Sequence, residues 1–224
     1  MPNPDVPLLV HLSLAKVTRM SDERQQLLSL LARQSFRLGH FQLSNGGESD
    51  YYIDCRTTTL DAEGARLTAR VFLDAIEHCG WHPQAIGGLT LGADPIVVAV
   101  AMLSAQSAQP RVTGLAGSKP LDMIDGFIVR KAEKAHGTGQ RIEGFREKGA
   151  QVVIVDDVCT TGASTVQAIE AATEFGFEIV GVMCMVEREE ANGRPAVESA
   201  AAGVPFVSIF TASEVRAEHL RLRG

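Results

Sequence analysis

The sequence predicts an α/β domain, a mostly parallel sheet flanked by helices with a small N-terminal hood over about residues 20–60. Three observations carry that prediction. Val152-Val153-Ile154-Val155 is a run of apolar β-branched residues with charge beyond it, the pattern of a parallel strand covered on both faces. Residues 166–175 have helical length and close on Gly176, so a helix follows that strand. The same order occurs upstream, where the apolar residues 85–91 precede Asp94-Pro95 and a second apolar helix.

Taken in order, Ser21 is placed to cap a helix that runs through Arg33, with Leu27, Leu28, Leu30 and Leu31 as its apolar stripe. Residues 41–44 and 49–54 read as short strands around Asn45-Gly46-Gly47, residues that supply the positive φ angles of a hairpin turn. Residues 62–79 have helical periodicity and end at Gly80. The loop Gly87-Gly88-Leu89-Thr90-Leu91-Gly92-Ala93 then separates a strand from a helix over residues 96–103, with Asp94 able to cap and Pro95 tolerated at the first position. Residues 127–130 lead into a basic stretch, residues 151–155 form the central strand, and residues 179–186 form another that ends at Glu187-Arg188. Residues 204–210 are a last strand, and Thr211-x-x-Glu214 is a capping-box pattern opening a last helix. At 224 residues and 45% hydrophobic, the chain suffices for one well-buried domain, expected over residues 20–224, with residues 1–19 as an extension.

The chemistry concentrates between residues 156 and 165. Thr160, Thr161, Gly162, Ala163 and Ser164 are small or hydroxylic, so backbone N–H groups can approach a phosphate closely, and the positive end of the following helix adds to the attraction. Asp156 and Asp157 would repel that phosphate. They make sense as acceptors for hydroxyls on the same ligand, such as a ribose 2′,3′-diol, or for a cation bound to them. The combination points to a sugar phosphate. No G-x-x-x-x-G-K-[ST] segment accompanies the acidic strand end, which argues against a P-loop nucleotidase.

A second constellation runs from Arg130 to Arg141. It holds Arg130, Lys131, Lys134, His136 and Arg141 in a chain whose formal net charge is −6. Gly137, Gly139 and Gly144 disfavour a regular helix and suit a lid that closes on anions. Positioned cations of this kind stabilise negative charge growing on a leaving group.

With these residues in view, the stretch 152–165 resembles the 5-phosphoribosyl 1-diphosphate (PRPP) motif of the type I phosphoribosyltransferases. The pattern Arg130-Lys131-x-x-Lys134-x-His136-Gly137 further resembles the catalytic loop of orotate phosphoribosyltransferases. The likeness spans nearly residues 20 to 215. It implies transfer of the phosphoribosyl group from PRPP to orotate, with Mg2+ as cofactor, bound mainly through PRPP oxygens and water and in part through Asp156 or Asp157. It implies that Asp156 and Asp157 hold the ribose hydroxyls, and that the loop after them, from Thr160 to Ser164, holds the 5′-phosphate. Lys134 and His136 would stabilise departing pyrophosphate, Arg130 and Lys131 would contact the diphosphate, and the basic loop would act in a homodimer partner's site. Tyr52 and Ile53 would line the base, Thr160 would lie near orotate, and Arg188 would grip the orotate carboxylate through two parallel hydrogen bonds. Many members carry a lysine where this chain has Ser44, and several place Tyr-Lys where it has Leu91-Gly92. The basic lid would then carry more of the charge.

Other classes are disfavoured. The acidic balance and the lack of a basic tail argue against nucleic acid or an anionic membrane as main partner. No run approaches the length of a membrane helix, and residues 6–17 lack the basic flank of a signal peptide, so a cytoplasmic location is expected. Cys55, Cys79, Cys159 and Cys184 are too dispersed for a zinc site or a disulfide framework, and Gly80 and Pro83 break any helix shared by His78 and His82. Two readings share the acidic loop: a phosphoribosyltransferase for a purine or other base, and a PRPP-sensing regulator that binds nucleic acid. The first has no need of the basic lid, and the second calls for a basic face that the sequence does not display.

Overall fold

A computed structural model describes residues 22–42, 47–107, 123–131 and 141–224. The expectations for residues 1–19, Ser21, Ser44, Lys134 and His136 fall outside the described residues. Among those described, six strands form the main sheet in the order β5-β4-β3-β6-β7-β8, and β1 and β2 form a separate antiparallel pair. The main sheet comprises β3 (Ala85–Leu89), β4 (Asp125–Val129), β5 (Ile142–Gly144), β6 (Gln151–Cys159), β7 (Glu178–Glu187) and β8 (Phe206–Thr211). All neighbours in it are parallel except β4 and β5. The mostly parallel α/β architecture is therefore the one the sequence predicts.

β6 sits in the middle, and its side chains alternate between two cores. Val153 and Val155 enter the core shared with α3 (Ala62–His78) and α4 (Asp94–Ser107), while Val152 and Ile154 enter the core shared with α5 (Ala163–Phe175). Burial on both sides is why this strand reads as an unbroken apolar run. Asp61 caps α3 by accepting from the Glu63 and Gly64 amides at 3.1 and 2.9 Å. Gly176, with φ +99°, closes α5 as its position predicts. α7 (Ala212–Arg221) opens with the expected capping box, in which Thr211 Oγ1 accepts from the Glu214 amide and the Glu214 carboxylate accepts from the Thr211 amide.

Several boundaries differ from the sequence reading. β6 does not end at Val155: it stays paired with β7 through Asp156, Val158 and Cys159, because β7 continues alongside to Glu187 and supplies backbone partners whatever the side chains are. The first helix, α1 (Asp22–Leu30), passes into a π-helical turn over Leu31–Ser35, and β1 (Phe36–Gln42) starts five residues ahead of the expected position. Its pairing with β2 (Glu48–Ile53) sets Phe36 opposite Ile53, which fixes that earlier start. The short helices α2 (Arg56–Thr59) and α6 (Arg194–Ala200), and the three-residue edge strand β5, carry too little periodicity to be read in advance.

The topology creates one opening. β3 pairs with β6 only as far as Gly87 opposite Ile154, yet continues to Leu89 beside β4. Successive connections leave the sheet toward β4 on one side and β7 on the other, so the gap between β3 and β6 is a switch point at the carboxyl ends of the strands. The hood hairpin packs nearby through Phe36, Tyr51 and Ile53, which belong to the same core as α3 and α4.

Candidate active site

Two carboxylates reach this opening on β6. Asp156 is only 4% exposed. Its Oδ2 accepts from Thr165 Oγ1 at 2.7 Å and its Oδ1 from the Asp157 amide at 3.0 Å. Asp157 Oδ1 accepts from the Val158 amide at 3.0 Å. Burial, and next the charge of Asp157, pushes the Asp156 carboxyl up to about 7 from its ordinary 3.8, and the hydrogen bonds do not offset this. Burial raises Asp157 too, with the Val158 N–H and the Arg56 charge pulling it partly back. The free site thus holds acid groups reluctant to be charged together, a state that hydroxyl donors or a cation would relieve.

The loop after β6 is shaped for an anion. Gly162 has φ +78°, and a Cβ there would lie 2.8 Å from Val197 Cγ2 and 2.9 Å from the Gly193 oxygen, so only glycine fits. The turn it makes delivers Thr161, Ala163 and Ser164 to the surface at the start of α5, while Thr165 turns inward to Asp156. The first amides of a helix have no intrahelical acceptor and attract negative charge. Ser164 and Thr165, read as loop, are in the first turn of the helix, which begins at Ala163.

Across the switch point, the loop after β3 presses against the acidic pair. A Cβ on Gly88 would come within 2.0 Å of the Val155 carbonyl oxygen, and one on Gly92 within 2.2 Å of Asp157 Oδ1. Glycine at both positions is what lets the end of β3 and the loop after it pack against the acidic end of β6. Thr90 Oγ1 donates to Asp94 Oδ2 at 2.7 Å, and the Thr90 amide donates to the Val129 carbonyl at 2.9 Å. That second bond sets the loop beside the end of β4, where Arg130 and Lys131 emerge. Arg130 bridges to Glu143 at 3.5 Å, and Lys131 is exposed.

Arg188 follows β7 directly, and its amide donates to the Cys159 carbonyl at 2.9 Å, which keeps it at the neighbouring strand end. Its guanidinium is held by the hood: Nε donates to Tyr51 Oη at 3.0 Å, Nη2 donates to Ser49 Oγ at 3.0 Å, and Glu190 pairs with it at 3.0 Å. The neighbouring acids on either side have other partners: Glu187 pairs with Arg194, and Glu189 accepts from Ser213. Tyr52 is exposed, its ring tilted 5.5 Å from Phe41, whereas Ile53 is buried in the core.

The opening therefore gathers Asp156, Asp157, Thr160 and the start of α5, with Arg130, Lys131 and Arg188 on flanking strand ends. Sequence reasoning passed over Ser49, Tyr51, Glu190 and Arg56. Strand alternation offered a signal for Tyr51, which shares a face with Ile53 while Tyr52 cannot. Arg56 forms a bidentate pair with Asp54, at 2.8 and 2.9 Å, close enough for its charge to act on Asp157.

Among the described residues no group of three or more His, Cys, Asp or Glu could hold a metal ion. Two adjacent carboxylates are nonetheless hard oxygen donors, and they fit a Mg2+ ion that takes most of its ligands from a phosphorylated substrate and water.

Comparison with known proteins bears on this site. Residues 82–201, which include the loops after β3 and β6, match the phosphoribosyl transferase domain. An orotate phosphoribosyltransferase from Streptomyces avermitilis is 42% identical over 196 residues, covering 88% of this chain and 98% of that protein. One from Thermosynechococcus vestitus is 41% identical over 199 residues, covering 88% and 95%. The crystal structure of Mycobacterium tuberculosis orotate phosphoribosyltransferase in complex with PRPP superposes with a TM-score of 0.65 at 30% identity, covering 86% of this chain and 98% of that one.

Because the folded-state acidity of Asp156 is weaker than that of the unfolded chain, its contribution to stability is lost as pH rises through about 7. Asp156→Asn should therefore stabilise the ligand-free protein at pH 8, by on the order of 1–3 kcal/mol, and by less at pH 5. Denaturant titrations at the two pH values check this; an equal effect at both would contradict it.

Proposed function

The chain belongs to the orotate phosphoribosyltransferases, and from that premise we infer how its own residues divide the work. The reaction joins orotate to the phosphoribosyl group of PRPP, giving orotidine 5′-monophosphate and pyrophosphate, a step of pyrimidine nucleotide synthesis. The observation that carries the assignment of roles is the pairing of a buried acidic pair with two glycine-dependent loops at one switch point.

In this reading Asp156 and Asp157 accept from the ribose 2′- and 3′-hydroxyls. The loop from Thr160 to Ser164 and the start of α5 hold the 5′-phosphate by amide and hydroxyl donors, which leaves C1 of the sugar over the gap. The backbone of the Gly87–Ala93 loop faces the diphosphate, with Arg130, Lys131, Lys134 and His136 as its cations. Arg188 takes the orotate carboxylate, the feature that separates orotate from the common nucleobases. Thr160 stands beside the base, and Tyr52 and Ile53 belong to the hairpin above it.

As the bond from C1 to the diphosphate oxygen lengthens, positive charge spreads over C1 and the ring oxygen, and negative charge collects on pyrophosphate. Orotate nitrogen then closes on C1 and gives up its N–H proton, which leaves with pyrophosphate or to water, so no covalent bond to the enzyme is needed. The acidic pair favours the cationic sugar, and Lys134 with His136 favours the departing anion; one such donor is typically worth ~3–4 kcal/mol. A bound Mg2+ would supply neutralisation of the diphosphate charge. Asp156 and Asp157 are the residues that would meet it.

The basic loop is proposed to act across a homodimer, reaching the site of the neighbouring subunit. Four free thiols, three of them buried, fit a reducing compartment, and we place the enzyme in the cytoplasm. Among the described residues no helix is long and apolar enough to cross a membrane.

Orotate absorbance should fall on addition of PRPP and Mg2+, with adenine, hypoxanthine and uracil unreactive and Lys134→Ala slower by at least ~10²-fold. Turnover of another base in place of orotate would contradict the role of Arg188. Mixing inactive Lys134→Ala with inactive Asp156→Asn should restore part of the activity through hybrid dimers. Absence of recovery after demonstrated subunit exchange would contradict the shared site.

A further inference from the structure

The Arg188 guanidinium is engaged before any ligand arrives, and the manner of its engagement is specific. Its Nε and Nη2 are committed, to Tyr51 Oη, Ser49 Oγ and Glu190 Oε1 at 3.0–3.1 Å, while Nη1 makes no hydrogen bond among the described residues. The guanidinium carbon lies 4.5 Å from the centre of the Tyr51 ring, so one face of the group is stacked as well. Tyr51 in turn is fixed from behind: Phe36 stacks on it at 5.3 Å with planes 17° apart, and His219 closes on Phe36 at 4.9 Å. The Ser49 hydroxyl donates to the Tyr51 carbonyl at 2.8 Å and accepts from the Tyr51 amide at 3.3 Å, which ties the two hood contacts together. Arg188 and Tyr51 are both only 7% exposed.

Resting on the reading of Arg188 as the group that takes the orotate carboxylate, we propose that Tyr51 is a positioning residue for base specificity: its hydroxyl and ring fix the Arg188 guanidinium so that the Nη1 side meets the carboxylate of the pyrimidine. A long arginine side chain otherwise loses rotamer freedom when substrate binds, and the phenol takes that cost at folding. The phenol also stays neutral. Burial first, then the Glu190 acceptor, moves its ionisation well above the ordinary tyrosine range, against the opposing pull of Arg188. A neutral hydroxyl can accept from Arg188 Nε and donate to Glu190 at once, and Glu190 supplies the counter-charge on the protein side. Phenylalanine would keep the stacked ring and lose that bridge.

The role predicts a change in selectivity more than in rate. With orotate as substrate and uracil as competitor, Tyr51→Phe should raise KM for orotate about tenfold, the upper range for one lost hydrogen bond, and leave uracil inhibition unchanged. KM for PRPP should stay within about twofold, because the PRPP loops do not depend on Tyr51. Ser49→Ala, which removes one of the two Nη2 acceptors together with the hydroxyl's bonds to the Tyr51 backbone, should shift the orotate-to-uracil preference the same way by about threefold. A purely structural role would lower the melting temperature without separating the two bases. Arg188→Met is the control for the underlying reading. If it abolishes the preference for orotate while Tyr51→Phe and Ser49→Ala leave that preference intact, the positioning role is overturned and the Arg188 reading stands. If Arg188→Met leaves the preference intact, both fall together.

Discussion

The structure turns on an adjacent acidic pair, one member buried and the other half-buried, at the end of its central strand. Asp156 and Asp157 follow four residues that are fully buried, and backbone pairing with β7 carries the chain past them without a break. The surrounding groups answer to that burden. Thr165 and the Asp157 amide favour ionised Asp156, and the Val158 amide and the Arg56 charge favour ionised Asp157, yet both carboxyls stay above the ordinary aspartate value. A site left in this condition gains from a ligand that brings hydroxyl donors and a cation on one molecule, which is what a ribose diphosphate with Mg2+ offers.

Close approach is the second requirement, and it is met by the lack of side chains. Gly88 near the end of β3 abuts the Val155 carbonyl and Gly92 in the loop after it abuts Asp157, so neither point can carry a side chain without displacing the acidic strand. A side chain at Gly92 would enter space already filled by Asp157, so no cation can be placed there. In the proposed reading the cations come instead from Arg130 and Lys131, which follow β4 directly in the chain, and from the basic sequence that runs on to Arg141. The same economy explains Gly162, whose left-handed turn packs against Val197 and Gly193 and opens α5 directly after β6.

What the sequence made legible was local. The run from Val152 to Val155, the Gly176 cap and the Thr211-x-x-Glu214 box each declare themselves within a few residues, and all three stand where they were read. The acidic pair and its small-residue loop are contiguous, so the core of the candidate site was legible too. Features that depend on distant pairing were not. The start of β1 is fixed by β2, the length of β6 by β7, and the three-residue β5 exists only against β4. The setting of Arg188 was hidden for the same reason: its partners Ser49 and Tyr51 come from a hairpin more than a hundred residues earlier in the chain. Alternation along β2 held half of that information, since Tyr51 and Ile53 share the buried face and Tyr52 does not.

The most direct measurement is a carbon-13 NMR titration of the protein labelled at aspartate carboxyls, with the Asp156 signal identified by its loss in Asp156→Asn. In the ligand-free protein that carboxyl should titrate near 7, and with PRPP and Mg2+ bound it should be ionised at pH 7. A carboxyl that titrates at the ordinary aspartate value of 3.8 with or without the ligand would contradict the account, because the central strand would then carry no electrostatic burden for the substrate to relieve.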